Sequence, residues 1–145
     1  MIALLDVNVL IALSDPAHLY YDAAHRWFGV NRSQGWATCP LTENAFVRIT
    51  SNPAYSGRRT TALDATLRLR DSCSNSEHSF WSDSISVRDV DRFHWNHVQG
   101  HGQVADAYLL ALAVSKGGRL ATFDSAISLR AVSGATPQNL EILSA

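Results

Sequence analysis

Two short apolar runs, each closed by an aspartate, constrain this chain more than any other feature. Ile2-Ala-Leu-Leu5 leads straight into Asp6, and Leu120-Ala-Thr-Phe123 leads into Asp124. An unbroken apolar run of this length suits a strand buried on both faces, as in a parallel sheet. In open sheets of that kind, ligands bind beyond the carboxyl ends of the strands. Both aspartates are therefore expected on a functional edge, where a carboxylate beside apolar core is costly unless partnered.

The intervening sequence alternates between helix and strand signals. Val7 to Leu13 reads as a helix stopped at Asp15-Pro16. Leu19 to Phe28 carries apolar or aromatic residues at 20, 23, 24, 27 and 28, a helical spacing, with Gly29 as its end. Trp36-Ala-Thr-Cys39 reads as a second strand. Pro40 opens a helix to about Ile49, and Asn52-Pro53 breaks it. A helix over Arg58 to Leu69 is followed by a polar segment, Asp71 to Glu77. Phe80-Trp81 reads as a short third strand, Asp89 to Val98 as weakly helical, and Gly100-His-Gly102 as a loop. Val104 to Lys116 is the clearest helix, ended by Gly117-Gly118. A strand at Leu120 to Phe123, a short helix at Ala126 to Ala131 and a last strand at Leu140 to Leu143 complete the pattern. Such alternation implies right-handed crossovers and an α/β fold, with a mostly parallel sheet of four or five strands covered on both faces.

Composition narrows the class. The 145 residues fit one domain, 1–145, and 46% apolar with 17% charged residues is a folding composition. A net charge of −1 does not by itself point to nucleic acid, but eleven of the twelve basic residues are Arg, whose planar fork grips phosphate through two bonds. Two cysteines, Cys39 and Cys73, make no disulfide framework, and a reduced, cytoplasmic compartment is expected. The start lacks a basic leader, which argues against a signal peptide. The longest apolar stretch, Ala107 to Val114, is far short of the roughly 20 residues of a membrane span, so no membrane partner is expected.

Two further acids can reach the same edge. Glu43 lies in the first turn of the helix after the second strand, and Asp106 in the first turn of the Val104 helix. Either can instead be an acid that merely favours a helix dipole, and Asp6 and Asp124 can be helix N-caps. Four carboxylates in one pocket repel unless a cation neutralises them. Oxygen-only ligands favour Mg²⁺ or Mn²⁺ over Zn²⁺, and such a site activates water and offsets charge on a phosphate.

Four runs carry a resemblance: Leu4-Leu-Asp-Val-Asn-Val-Leu10, Leu41-Thr-Glu-Asn-Ala-Phe-Val-Arg48, Val104-Ala-Asp-Ala-Tyr-Leu-Leu-Ala111 and Leu120-Ala-Thr-Phe-Asp124. In this order and spacing they resemble the PIN-domain ribonucleases and, more narrowly, the VapC toxins of bacterial toxin–antitoxin pairs. The resemblance implies a three-layer α/β/α sandwich, 1–145, that cleaves transfer or ribosomal RNA with Mg²⁺ or Mn²⁺. It implies a homodimer, and a heterotetramer or larger assembly with a small antitoxin that occupies the site. Asp6 and Asp106 would be the main metal ligands, Asp124 would complete the shell, and Glu43 would hold metal through water or orient the attacking water. Where some members carry a further acid before Asp106 this chain has Val104-Ala105, so one well-held cation is the expectation, with a second arriving only with RNA.

Other residues have two readings each. Asn8 can hold Asp6 or a water, or serve as a plain cap. Thr122 and Ser125 can contact phosphate or a ligand carboxylate, or be a strand threonine and a helix cap. His94, His97 and His101 are spaced as a zinc face would be, although Gly100 and Gly102 interrupt the helix it would need; His101 alone can touch RNA phosphate. Arg48, Arg58, Arg59, Arg68 and Arg70, with Asp64 the only acid among them, form a net +4 segment that can face phosphate or antitoxin, or simply solvent. Trp27, Phe28, Trp36, Trp81, Phe93 and Trp95 are core or dimer-interface candidates, with base stacking open to Trp81 and Trp95. Two rival functions differ in class. An aspartyl-phosphate phosphatase would need a second Asp where Asn8 stands and a Lys other than Lys116. A binding module without catalysis would have lost one of the four acids and would show no metal dependence.

Overall fold

A computed structural model describes residues 1–56 and 59–145. Its centre is a five-stranded, wholly parallel sheet in the order β3-β2-β1-β4-β5. The strands are β1 (Ala3–Leu5), β2 (Trp36–Thr38), β3 (His78–Phe80), β4 (Arg119–Thr122) and β5 (Leu140–Ile142). The helices are α1 (Val7–Ser14), α2 (Tyr21–Asn31), α3 (Pro40–Thr50), the single turn α4 (Pro53–Ser56), α5 (Ala62–Ser72) and α6 (Val104–Ser115).

The two-residue period of a strand divides the core into two. Leu4, Ala37 and Leu120 face α6, packing on Leu109, Leu110 and Leu112 together with Trp81, Phe93 and Val132. Their neighbours Ala3, Leu5, Trp36 and Ala121 face the opposite way, onto Val9, Leu10 and Ile11 of α1, Phe46 of α3 and Ala65 and Leu69 of α5. Helix, sheet and helix therefore form three layers. Among the described residues no helix is long and apolar enough to cross a membrane.

β1 and β4 are joined at their entrance by a tight seam. α6 ends in a Schellman motif: Gly118 N–H donates to Ala113 O at 2.9 Å and Gly117, at φ 66°, donates to Val114 O at 3.1 Å. A Cβ on Gly118 would stand 2.6 Å from the Ile2 carbonyl oxygen and 2.8 Å from the Trp81 ring, so only glycine lets the turn lie against β1.

Several boundaries differ from the sequence reading. α2 passes through Gly29 to Asn31, and the chain turns instead at Gly35, at φ 95°. An exposed helical glycine costs only about 1 kcal/mol, which neighbouring packing tolerates. α5 begins at Ala62, where Thr61 caps by accepting from Asp64 N–H at 3.0 Å; Arg58 lies outside the described residues. β3 starts two residues early, at His78. Asp89 to Val98 is not a helix but turns, with one 3-10 turn over Trp95–His97, because the Asp89 carboxylate takes the Asp91 and Arg92 N–H groups. Ala126 to Ala131 holds only a 3-10 turn, Leu129–Ala131, capped by Ser128.

Candidate functional site

β1 and β4 run in register, Leu5 beside Ala121, so the next residue of β1 meets the last of β4. That pair is Asp6 and Thr122, and Asp6 N–H still donates to Ala121 O at 3.0 Å. The Thr122 hydroxyl donates to Asp6 Oδ2 at 2.7 Å and accepts from Asp124 N–H at 3.0 Å and from Asn8 Nδ2 at 3.3 Å. One proton and two lone pairs are all used. Asp6 Oδ1 accepts from Val7 N–H at 2.7 Å, capping α1, and Asn8 Oδ1 accepts from Phe123 N–H at 3.4 Å. Asp6 is 4% exposed, so this carboxylate has a fixed place. Asp124 Oδ1 accepts from Ala126 N–H at 2.9 Å, while Ser125 is exposed.

Asp106, in the first turn of α6, completes a trio. Burial raises the Asp106 carboxyl to about 7, helped by the charge of Asp6 and by a hydrogen bond and charge from Asp124. Burial also raises Asp6, with a smaller push from Asp124, against the opposing hydrogen bonds from Thr122 and Val7. Three acids thus meet at one edge at a mutual electrostatic cost. Their donors are all oxygen, the chemistry of a hard divalent cation, which would relieve that cost, although their ligand atoms do not all lie within 4.8 Å of one another.

Glu43 lies on the other side of β1. Its Oε2 accepts from the Thr38 hydroxyl at 2.6 Å, at the end of β2, and the same hydroxyl lies 2.8 Å from His78 Nε2 on β3. The Cys73 thiol also lies against Thr38. Ligand atoms of Glu43, Cys73 and His78 fall within 4.8 Å of one another. The charges that raise Asp6 and Asp106 are those of the trio, and Glu43 contributes to neither. The four acids therefore share an edge but form two groups. Thr38, Cys73 and His78 escaped sequence reasoning. Thr38 ends its strand as Thr122 does, the one signal that could have found it.

The secondary candidates separate as well. The three histidines do not gather: His94 Nε2 is 2.8 Å from the Ser133 hydroxyl, and His101 is exposed before α6, lining a groove with Asp83 and Tyr108. Trp81 is buried in the core, and the half-buried Trp95 stacks one face on Phe93 at 4.8 Å. Trp36 and Phe93 are core, Phe28 packs edge-on to Trp36, and Trp27 Nε1 donates to Glu141 at 2.8 Å. Arg48, Arg59, Arg68 and Arg70 are exposed, and none is in an ion pair among the described residues. Arg48 shares a shallow groove with Glu43 and Asn44, rimmed by the exposed Phe80.

No protein-family model matches the chain. It is 43% identical over 143 residues to Ribonuclease VapC44 of Mycobacterium tuberculosis, spanning 99% of this chain and all of that one. Ribonuclease VapC39 of the same organism is 44% identical over 134 residues, covering 92% of this chain and 96% of the relative. Ribonuclease VapC38 is 41% identical over 125 residues, 86% of each. The fold is similar to that in a crystal structure of VapBC2 from Rickettsia felis bound to a DNA fragment from their promoter. The TM-score is 0.64 at 10% identity, covering 99% of this chain and all of that one.

Proposed function

Because the chain belongs to the VapC ribonuclease family, we propose that it is an endoribonuclease whose cation, Mg²⁺ or Mn²⁺, is held by Asp6, Asp106 and Asp124. The observation that carries this reading is the trio itself: three carboxylates, Asp6 raised by burial and Asp124, and Asp106 raised by burial, Asp6 and Asp124, at the carboxyl edge of a parallel sheet. When bound, such an ion lowers the pKa of water and offsets the charge growing on a phosphate. The chain's own residues do the rest. Asp6 is held by Thr122 and Val7 and keeps one oxygen direction; Asn8 braces Thr122 and the Phe123 backbone. Asp124 is anchored through its own N–H to the same hydroxyl. Glu43, in the first turn of α3 and bonded to Thr38 at the end of β2, serves as the water-orienting acid. Water attacks phosphorus, the P–O3′ bond breaks and O3′ takes a proton, which leaves 5′-phosphate and 3′-hydroxyl ends.

The proposed substrate is transfer or ribosomal RNA, with Arg48 in the groove beside Glu43 as a phosphate contact. Residues 1–145 act as one PIN-like toxin domain in the cytoplasm, as a homodimer silenced by a small antitoxin. The named relatives and the VapBC2 assembly support this reading. The test is to map RNA 5′ ends after induced expression of wild type and Asp6→Asn. Asn caps helices about as well as Asp, so the variant should fold. New 5′-phosphate ends at discrete sites are expected with wild type only. The same ends with both, or no cleavage of any RNA by purified wild type with Mg²⁺ or Mn²⁺, overturns the reading.

A further inference from the structure

The second group on the edge differs from the trio in the kind of atom it offers. Cys73 caps the end of α5, His78 opens β3 and Glu43 lies in the first turn of α3, so three elements distant in sequence bring together a sulfur, an imidazole nitrogen and a carboxylate oxygen. Those atoms lie within 4.8 Å of one another, the only such trio of donors among the described residues. We propose that Cys73, His78 and Glu43 form a site for a borderline-soft divalent cation of the zinc class, different in its donors from the oxygen-only site of Asp6, Asp106 and Asp124, and that zinc there engages Glu43, the acid that otherwise orients water.

Geometry and donor chemistry agree. Tetrahedral zinc holds sulfur and nitrogen at about 2.0–2.3 Å, which sets neighbouring ligands roughly 3.3–3.8 Å apart. The observed spacing closes to that by side-chain shifts of about 1 Å. The ring of His78 is already oriented: it tilts against Trp36 with centroids 4.6 Å apart and meets the Thr38 hydroxyl. Thr38 donates its hydroxyl proton to Glu43 and can accept from a His78 N–H, while burial and the charge of Glu43 hold the neighbouring Cys73 thiol up at about 11. The lone pair on the unprotonated ring nitrogen of neutral His78, the Glu43 carboxylate and the Cys73 sulfur are the electron pairs such a cation would take. All three side chains are half-buried, so an ion can enter, and a fourth position remains for water. Thiolate selects zinc-like ions over magnesium, so the two sites sort metals by softness. On binding, the Cys73 S–H bond breaks, its electron pair stays on sulfur as the ligand pair, and the proton leaves to solvent.

The test is a Zn²⁺ titration of the purified full chain by calorimetry, with no RNA present. One zinc per chain is expected, weakened at least about tenfold in Cys73→Ser and in His78→Gln, because losing a ligand costs no less than losing its support. Asp106→Asn should keep wild-type zinc affinity. With Co²⁺ in place of zinc, wild type should show a thiolate-to-metal absorption band that Cys73→Ser lacks. Should a variant fail to fold without metal, wild type alone decides: zinc, and not magnesium, should slow alkylation of Cys73, while Cys39 is fully buried and silent. Wild-type zinc affinity in folded Cys73→Ser, no zinc uptake by wild type, loss of zinc binding in folded Asp106→Asn, or alkylation indifferent to zinc overturns the proposal.

Discussion

Thr122 and Thr38 end the strands on either side of β1, and each is fully buried. Thr122 sits among groups that match it: one acceptor for its proton, two N–H donors for its lone pairs. Thr38 sits among side chains instead of amide groups: the Glu43 carboxylate takes its proton, and the His78 imidazole and the Cys73 thiol lie against its oxygen. The first hydroxyl rigidifies a buried aspartate; the second donates to a half-buried glutamate beside an imidazole and a thiol. Equivalent positions in a parallel sheet thus supply a fixed anchor on one side and an adaptable one on the other. The neighbours on the following loop or helix decide which.

The sharpest way to break this contrast is to remove charge from the anchored side. Asp106→Asn should lower RNA cleavage by at least about a hundredfold, the scale seen when one preorganised charge-stabilising group is lost. A cleavage assay with Mg²⁺ or Mn²⁺ decides it, and near wild-type turnover would remove Asp106 from the site. Next come the hydroxyls. Thr122→Val leaves the buried Asp6 carboxylate short of a donor and should cost about 1–3 kcal/mol, whereas Thr38→Val, beside a Glu43 that water can reach, should cost about 0.5–1.5 kcal/mol. Equilibrium denaturant unfolding compares the two, and equal losses would erase the distinction.

The smallest effect is on stability against pH, where the two sides carry opposite signs. Asp6 and Asp106 are raised, so the metal-free folded chain keeps protons that the unfolded chain has lost above the ordinary value of 3.8. Their contribution is full below that value and is lost as pH rises toward about 7. Burial lowers His78 below its ordinary 6.5, more than the charge of Glu43 raises it, so its contribution is present above 6.5 and lost as pH falls. Melting temperature without metal should therefore fall between about pH 5 and about pH 8, less in Asp106→Asn and more steeply in His78→Gln. Adding Mg²⁺ at the higher pH should restore part of it, and a flat wild-type profile would contradict the placement of the acids.

What was legible in the sequence had local causes. Ile2 to Asp6, the α6 run with Gly117-Gly118 and the strand before Asp124 each carry their signal within a few residues, and the three-layer sheet follows from their alternation. Asp6 and Asp124 stand at strand ends, as their position in the chain implies. The stretch from Trp81 to Gln103 was harder, because Asp89 and other short polar side chains divert backbone donors into turns. The group around Thr38 was invisible, since Thr38 and His78 are 40 positions apart and meet only when β3 docks on β2. That the four acids divide into two groups depends on which side of β1 each strand lies, which no linear spacing encodes.

The strand order also sets a clock. β1 is synthesised before the other four strands of the sheet, yet one of its two neighbours is β4, and the Thr122 that holds Asp6 lies 116 positions downstream. Until a ribosome has passed Gly102 or so, Asp6, Asn8 and Glu43 exist without Asp106, Thr122 or Asp124. Contacts so distant in sequence form late and slowly. The acid centre is therefore among the last features a newborn chain acquires. A chain cut short before Arg119 carries Asp6 as no more than a helix cap.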